Sequence, residues 1–535
     1  MTMTTRDPPT PDAHAQREMP EEFLKLSRSP RPCARRETFE NEARPAKKAL
    51  SLCAGFWHTG ALSSRSIPTW GKESVLSVNK NRSTSALTRR DFMRLGAGAA
   101  AAGAAAKVTW LEPAKLRAAP SPVAPSDTVR FASIGTGVRG CEDLKTALSC
   151  PGTEMVATCD LYDGRLIAAQ EVAQKQLPTT KDYRAILDRK DVDAVIVATP
   201  DHWHAKIVED ACAAGKDVYC EKPMAHTVED GFAMMAAAQR HNRIVQVGSQ
   251  RRSGIVYAKA REILASGALG QVTAIEAWID RNDASGAWQY PIPPDANEKT
   301  IDWNQFLGSA RKRPFDASRF FRWRCFQEYG EGLPGDLYVH LLTGVLTITG
   351  INAPPARALS TGGLFRWKDG RDVPDLIWTL YEYPDFRVAV RCNLNNESPA
   401  DVTRVFGTKA TLEVRGETLT VTPQDTRPQP ESYSIFGWPE KLRNEYLKDW
   451  RSQHREPGPG QYSVVEEAQT FQAPPGYEDQ IDHMNNFLES VRTRRPSVED
   501  AVFGNHTAIA CHMANHSYFN KTVATWDEAD KAIKG

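Results

Sequence analysis

The chain has 535 residues, 41% apolar and 25% charged, the make-up of a globular protein of two or three domains with appendages. With 67 basic against 66 acidic residues the net charge is +1, which supplies no electrostatic footprint for a nucleic-acid partner. The ten cysteines are scattered without a Cys-x-x-Cys pair and read as mostly free thiols, and no apolar run reaches the ~20 residues of a membrane-spanning helix.

Residues 1–84 are rich in Arg, Pro, Ser and Glu and show no sustained apolar period, so they read as a disordered or mis-assigned extension, with Val78 as an alternative start. Residues 85–127 read as a signal followed by a linker. Thr88-Arg89-Arg90-Asp91-Phe92-Met93-Arg94 stands before the Ala/Gly run Leu95 to Ala106, and Ala104 and Ala106 offer an A-x-A cleavage site. This order resembles a twin-arginine export signal. It implies a translocase partner, a periplasmic or extracellular destination, and no stable membrane anchor. That route carries proteins already folded, often with a cofactor inside, which suits scattered free cysteines. Pro113, Pro120, Pro122 and Pro125 mark residues 107–127 as linker.

Order is expected from Thr128. Val129 to Ile134 is a β-like run leading directly into Gly135-Thr136-Gly137-Val138-Arg139-Gly140, and a helical stretch follows through Cys150. Glycine at 135 permits the tight turn, at 137 lets backbone approach a diphosphate, and at 140 lets helix and strand pack closely. The helix start adds unpaired N–H groups and a partial positive charge. A second strand, Glu154 to Cys159, ends in Asp160, 20 residues after Gly140, where a carboxylate can accept from an adenosine ribose. That acid favours NAD over NADP, although Arg165 keeps NADP open, and helix capping would be its ordinary use. Strands at Asp193 to Ala198, Asp217 to Cys220 and Ile244 to Val247 alternate with helices at His204 to Ala214 and Val228 to His241. The alternation predicts a parallel sheet covered on both faces, a Rossmann domain over residues 128–250, with its ligand at the carboxyl ends of the strands.

Residues 251–535 are expected to form an α/β substrate and oligomerisation domain. Gln271 to Asp280 alternates as a long antiparallel strand with one covered face. Leu376 to Tyr383, Arg387 to Asn393 and Thr403 to Val414, folded at Gly407, look like its neighbours. Tyr477 to Arg494 and Phe503 to Tyr518 read as closing helices. The stretch from Trp278 to Tyr329 is dense in Trp, Tyr and Arg, most of which core packing would explain; Arg324 and Tyr329 are the candidates for substrate contact. His202 and His204 form an H-x-H pair, but no further ligand cluster has metal spacing, so no metal is assigned.

Several motifs in order resemble the glucose-fructose oxidoreductase and inositol dehydrogenase family (Gfo/Idh/MocA): GTGVRG at 135–140, ATPDHWH at 198–204, EKP at 221–223, QVGSQRRS at 246–253, DWNQFLG at 302–308 and GDLYVH at 335–340. The resemblance runs from about residue 128 to about 520. It implies a Rossmann domain followed by an α/β domain with a large, mostly antiparallel open sheet, and with it a homo-oligomer. It implies that Lys222 contacts cofactor and substrate and that His204 opens its helix beside the nicotinamide. Gly135, Thr136, Gly137, Arg139, Gly140, Asp160, Thr199, His204 and Glu221 are the expected cofactor contacts, Glu221 in a supporting role. Lys222, Asp336 and His340 are the expected catalytic set: His340 as general base, Asp336 orienting the imidazole or gripping a neighbouring hydroxyl, since a spacing of four shares a helical face. Many members carry glycine where Tyr338 stands, which predicts a pocket here that is narrower or carries an extra hydroxyl. The expected activity is hydride transfer between a sugar or polyol hydroxyl and a tightly bound NAD. The alternatives are a glycoside hydrolase working through transient oxidation on bound NAD, and a non-catalytic sugar or dinucleotide binder.

Overall fold

The computed structural model describes residues 108–112, 124–398, 401–425, 433–454 and 467–535. The expected export signal and the extension before it lie outside the described residues.

Strand β1 (Val108–Trp110) pairs in parallel with a strand more than 350 residues later, so part of the expected linker is an edge strand. The next strands are β2 (Val129–Ile134), β3 (Thr153–Cys159), β4 (Thr179–Thr180), β5 (Ala194–Val197), β6 (Asp217–Cys220) and β7 (Val245–Val247). They form one parallel sheet in the order β4-β3-β2-β5-β6-β7. The central strands β5 and β6 are buried at every residue, as a sheet covered on both faces requires. Helices Val138–Ser149, Asp163–Ala173, His204–Ala213 and Val228–His241 supply much of that cover. The strand order reverses beside β2, and the crevice opens at that point.

The second sheet has eleven strands. To β1 it adds β8 (Val272–Asp280), β9 (Arg357–Gly363), β10 (Leu376–Glu382), β11 (Arg387–Asn393), β12 (Val402–Gly407), β13 (Ala410–Arg415), β14 (Thr418–Pro423), β15 (Gln469–Gln472), β16 (Ala524–Asp527) and β17 (Ala532–Lys534). The order is β1-β15-β14-β13-β12-β8-β11-β10-β9-β16-β17. The sheet is mostly antiparallel, as expected, but β8 is not purely so: it runs antiparallel to β12 and parallel to β11. Side chains alternate with period two. On β10, Ile377, Thr379 and Tyr381 point into the core while Trp378 and Leu380 remain exposed. Helices Ile255–Ala265, Val339–Thr349 and Ala501–Asn520 close the inner face. The helix Asp479–Thr493 returns to the first sheet, where Met484, Phe487 and Leu488 join the core built on Val129 and Phe131. None of the helices among the described residues is long and apolar enough to cross a membrane.

Candidate active site

Backbone demands build the first wall of the cavity. Gly135 follows β2 at φ +86°, and a Cβ there would stand 2.6 Å from the Ala198 carbonyl oxygen. At Gly140 a Cβ would meet the Gly135 oxygen at 2.0 Å, so the helix sits against the turn because this position has no side chain. Gly137 is different. A Cβ there would make only ordinary contact, 3.5 Å from the Arg165 guanidinium carbon. The protein does not need that space; a ligand lying on the turn would. No side chain caps the helix that starts after Gly137, so its first N–H groups are left for a ligand. Thr199 lines the same cavity, and its hydroxyl is buried without a hydrogen-bond partner among the described residues. A bare glycine cradle, an uncapped helix start and an orphaned hydroxyl are the complement of a dinucleotide's diphosphate and ribose.

The expected cofactor residues divide into those that face the cavity and those that hold its frame. Gly135, Gly137, Arg139, Asp160 and Thr199 line it. The Asp160 carboxylate is held in place, accepting from the backbone N–H of Thr136 (2.8 Å) and of Tyr162 (3.0 Å), with Arg165 3.7 Å away. Thr136 is buried, and its hydroxyl donates to the Arg165 carbonyl. Arg139 donates to Glu221 (2.9 Å) and pairs with Asp143 (2.6 Å). Burial opposes charge on Arg139, but Glu221 and Asp143 outweigh it and hold the guanidinium firmly protonated. Glu221 is buried behind the wall and also accepts from the Lys222 backbone N–H. It couples the glycine turn to the lysine, in keeping with the supporting role expected of it. His204 opens its helix, but its ring does not face the cavity. Its nitrogens lie 2.9 Å from the Pro223 carbonyl and 3.0 Å from that of Thr199, so it fastens two strand ends together, a correction to the expected direct contact.

At the other end Lys222 and Asp336, far apart in the chain, are brought together, and His340, four residues after Asp336, feels the charge of both. Lys222 Nζ donates to the Asp336 backbone carbonyl (2.9 Å) and carboxylate (3.0 Å). The same carboxylate accepts from Arg324 Nε (3.0 Å) and from the indole N–H of Trp288 (3.0 Å). Burial would push the Asp336 carboxyl up; Lys222, then Arg324, then Arg281 outweigh it and hold it well below the usual carboxylate range. Asp336 therefore does not orient the imidazole as expected, since its oxygens are taken by these donors. The chain between Asp336 and His340 also passes through a π-helical turn, Pro334–Tyr338, before the helix Val339–Thr349 begins. His340 has no hydrogen-bond partner among the described residues. Burial, and next the Lys222 charge, hold its imidazole well below its ordinary range, which favours the neutral form.

Two expectations about the substrate end are corrected. Tyr338 does not narrow the cavity: fully buried, its hydroxyl lies 2.8 Å from the Ile377 carbonyl and 3.0 Å from that of Val390, inside the large sheet. Tyr329 is no substrate contact; it is 0% exposed, packed between His202 and Phe306. Arg324 does line the cavity, with its guanidinium over the Trp323 ring. His202 sits between the carbonyls of Phe306 and Tyr329, and burial pushes it down to about 4. Among the described residues no three potential ligands meet in a metal site.

Some wall residues had no legible signal. Phe320 and Phe321 both pack against the Arg165 guanidinium at the Asp160 end, and Arg281 and Tyr290 line the wall with Asp336. Trp288, fully buried at φ +63°, holds Asp336 from behind. Arg281, Trp288 and Tyr290 lie in the stretch marked as dense in Trp, Tyr and Arg, and Arg281 also follows a strand end directly, whereas Phe320 and Phe321 carried no cue of their own.

Comparison with known proteins follows this division. Residues 129–249 match the Gfo/Idh/MocA model, described as oxidoreductase family, NAD-binding Rossmann fold. An inositol 2-dehydrogenase of Salmonella typhimurium is 34% identical over 176 residues, 32% of this chain and 52% of the relative. A glycosyl hydrolase family 109 protein of Shewanella baltica is 34% identical over 170 residues, 28% of this chain and 37% of the relative. The chain thus spans about half or less of the length of these curated relatives. A solved levoglucosan dehydrogenase, in complex with NADH and levoglucosan, superposes with a TM-score of 0.55 at 17% identity, covering 74% of this chain and 99% of that one. It shares the fold.

Proposed function

We propose that this chain is a Gfo/Idh/MocA-type oxidoreductase that transfers a hydride between a hydroxyl-bearing carbon of a sugar or polyol and a tightly held NAD. The observation that carries the reading is one cavity with a bare glycine turn beside Asp160 at one end and Asp336 at the other, where the Lys222 amine donates to the Asp336 carboxylate. The likeness of residues 129–249 to an NAD-binding oxidoreductase family supports it.

The residues assign themselves to tasks. Gly135, Gly137 and the uncapped helix start would receive the diphosphate, and Asp160 the adenosine ribose. A bound nicotinamide would supply the hydride acceptor. Lys222, steered by Asp336, would donate a hydrogen bond to the reacting hydroxyl and stabilise negative charge as its proton leaves. His340, kept neutral by burial and by Lys222, would take that proton. Asp336 acts through Lys222 and Arg324, fixing both where the hydroxyl must lie.

The purified protein, once boiled, should release about one nicotinamide dinucleotide per chain, and a panel of sugars and polyols should include one that changes cofactor absorbance. Protein carrying none, and inert with added NAD, sinks the reading. The 34% identity to a glycosyl hydrolase family 109 protein supports a second reading, glycoside cleavage through transient oxidation. Aglycone release without net cofactor reduction would select it. Export belongs to the same proposal, supported by Arg89-Arg90 ahead of the run Leu95 to Ala106 and by the free state of the described cysteines. N-terminal sequencing of the mature protein should find the chain beginning just past Ala106. A homo-oligomer through the uncovered sheet face is also proposed, supported by exposed Leu359, Trp378 and Leu380.

A further inference from the structure

The substrate end of the cavity carries a charge imbalance. Asp336 is surrounded by three cations, Lys222, Arg324 and Arg281, each of which acts on its carboxyl. Lys222 and Arg324 donate to it directly. Arg281 does not. Among the described residues its guanidinium makes neither hydrogen bond nor ion pair, although it is partly buried in the cavity wall. The acids near it in sequence are engaged elsewhere: Asp280 pairs with Arg391 at 2.5 Å, and Asp283 accepts from the Gly286 N–H at 2.7 Å. Its own backbone is fixed, since its N–H donates to the Asn393 carbonyl at 2.8 Å. Beside it the Tyr290 hydroxyl also lacks a hydrogen-bond partner among the described residues, and Tyr290 lines the same wall. One further carboxyl acts on Arg324, that of Asp201, which is buried and accepts from the Glu331 backbone N–H at 3.2 Å.

Resting on the oxidoreductase reading above, we propose that the substrate is an acidic carbohydrate, with its carboxylate bound by Arg281 and Tyr290 and its reacting hydroxyl at Lys222 and His340. A guanidinium is a planar fork of donors matched to a carboxylate, and charge-assisted pairs are about twice as strong as neutral ones. A sugar hydroxyl can accept one such bond and leaves the charge uncompensated. An unpaired guanidinium in a partly dry wall carries a desolvation cost that an anionic ligand offsets.

The test uses the protein with its dinucleotide and pairs acids with neutral partners: D-glucuronate with D-glucose, D-galacturonate with D-galactose, D-gluconate with D-glucitol. Steady-state kcat/KM and calorimetric binding are both read. At least one acid should exceed its neutral partner about 10-fold or more, equivalent to about 1.4 kcal/mol. Arg281→Gln should collapse that ratio about 10-fold, and Arg281→Lys should restore part of it. Neutral sugars turned over as well as the acids, or a ratio unmoved in Arg281→Gln, would overturn the acid assignment and leave the oxidoreductase reading standing. If nothing turns over, calorimetry decides: an acid that binds the wild type and not Arg281→Gln upholds the carboxylate site while the oxidoreductase reading fails, and no binding of any acid overturns both.

Discussion

Asp336→Asn removes one negative charge and little volume, and the structure sets what that should cost. The carboxylate accepts from an ammonium, a guanidinium and an indole, each at 3.0 Å, and the Lys222, Asp336 and Arg324 side chains are 9%, 15% and 21% exposed. Hydrogen bonds to charged groups are worth about 1.5–3 kcal/mol each, and breaking a buried ion pair costs about 3–5 kcal/mol. The asparagine oxygen retains one donor, so the expected loss is about 3 kcal/mol at pH 7, or about 4 °C in Tm for a chain of this size. The pH dependence is the sharper test. Because the native carboxyl is held well below the usual range, its contribution is complete above the unfolded value of about 3.9 and is lost as pH falls through the native value. Guanidinium unfolding of wild type and variant should therefore show a constant gap from pH 5 to 8 that closes only below about pH 4. A gap under about 1 kcal/mol, or one that shrinks between pH 5 and 7, would refute the assignment of Asp336 as the acceptor for both cations.

Gly137→Ala should fold with nearly unchanged Tm and lose retained dinucleotide, whereas Gly140→Ala, whose Cβ would meet the Gly135 oxygen at 2.0 Å, should lose about 1–3 kcal/mol of stability as well; absorbance of the released cofactor and calorimetry separate the two, and equal behaviour contradicts the cradle. Tyr338→Phe removes a donor from two buried carbonyls and should cost about 1–3 kcal/mol in denaturant unfolding while kcat/KM stays within about threefold, so a large kinetic effect would return Tyr338 to the cavity. His340 acts as base in its neutral form, and its lowered pKa keeps that form populated into acid. The acid limb of kcat/KM should therefore lie below the ordinary imidazole value of about 6.5, and a limb at or above it would remove His340 from the role.

What the sequence determined by itself lies where local backbone chemistry allows few solutions. A strand, a turn that needs φ > 0 at Gly135, a helix packed against Gly140, and an acid ending the next strand are all written within Val129–Asp160, and they come out as read. The antiparallel run from β12 to β13 was likewise visible through period-two alternation and the break at Gly407. Other features were settled by tertiary structure alone, because their partners lie far apart in the chain. Lys222 meets Asp336 across 114 residues and Trp288 meets it across 48, so no local pattern could tell that the carboxylate serves the lysine and not the imidazole four residues away. Tyr338 shares a motif with Asp336, and Tyr329 shares the aromatic-rich stretch with the wall residues Tyr290 and Arg324. Packing against β10 and β11, or against Phe306, decides that they turn away. The lone charge of Arg281 is of the same kind: an arginine's identity is read from the chain, but whether any acid folds back to neutralise it is a property of the completed cavity.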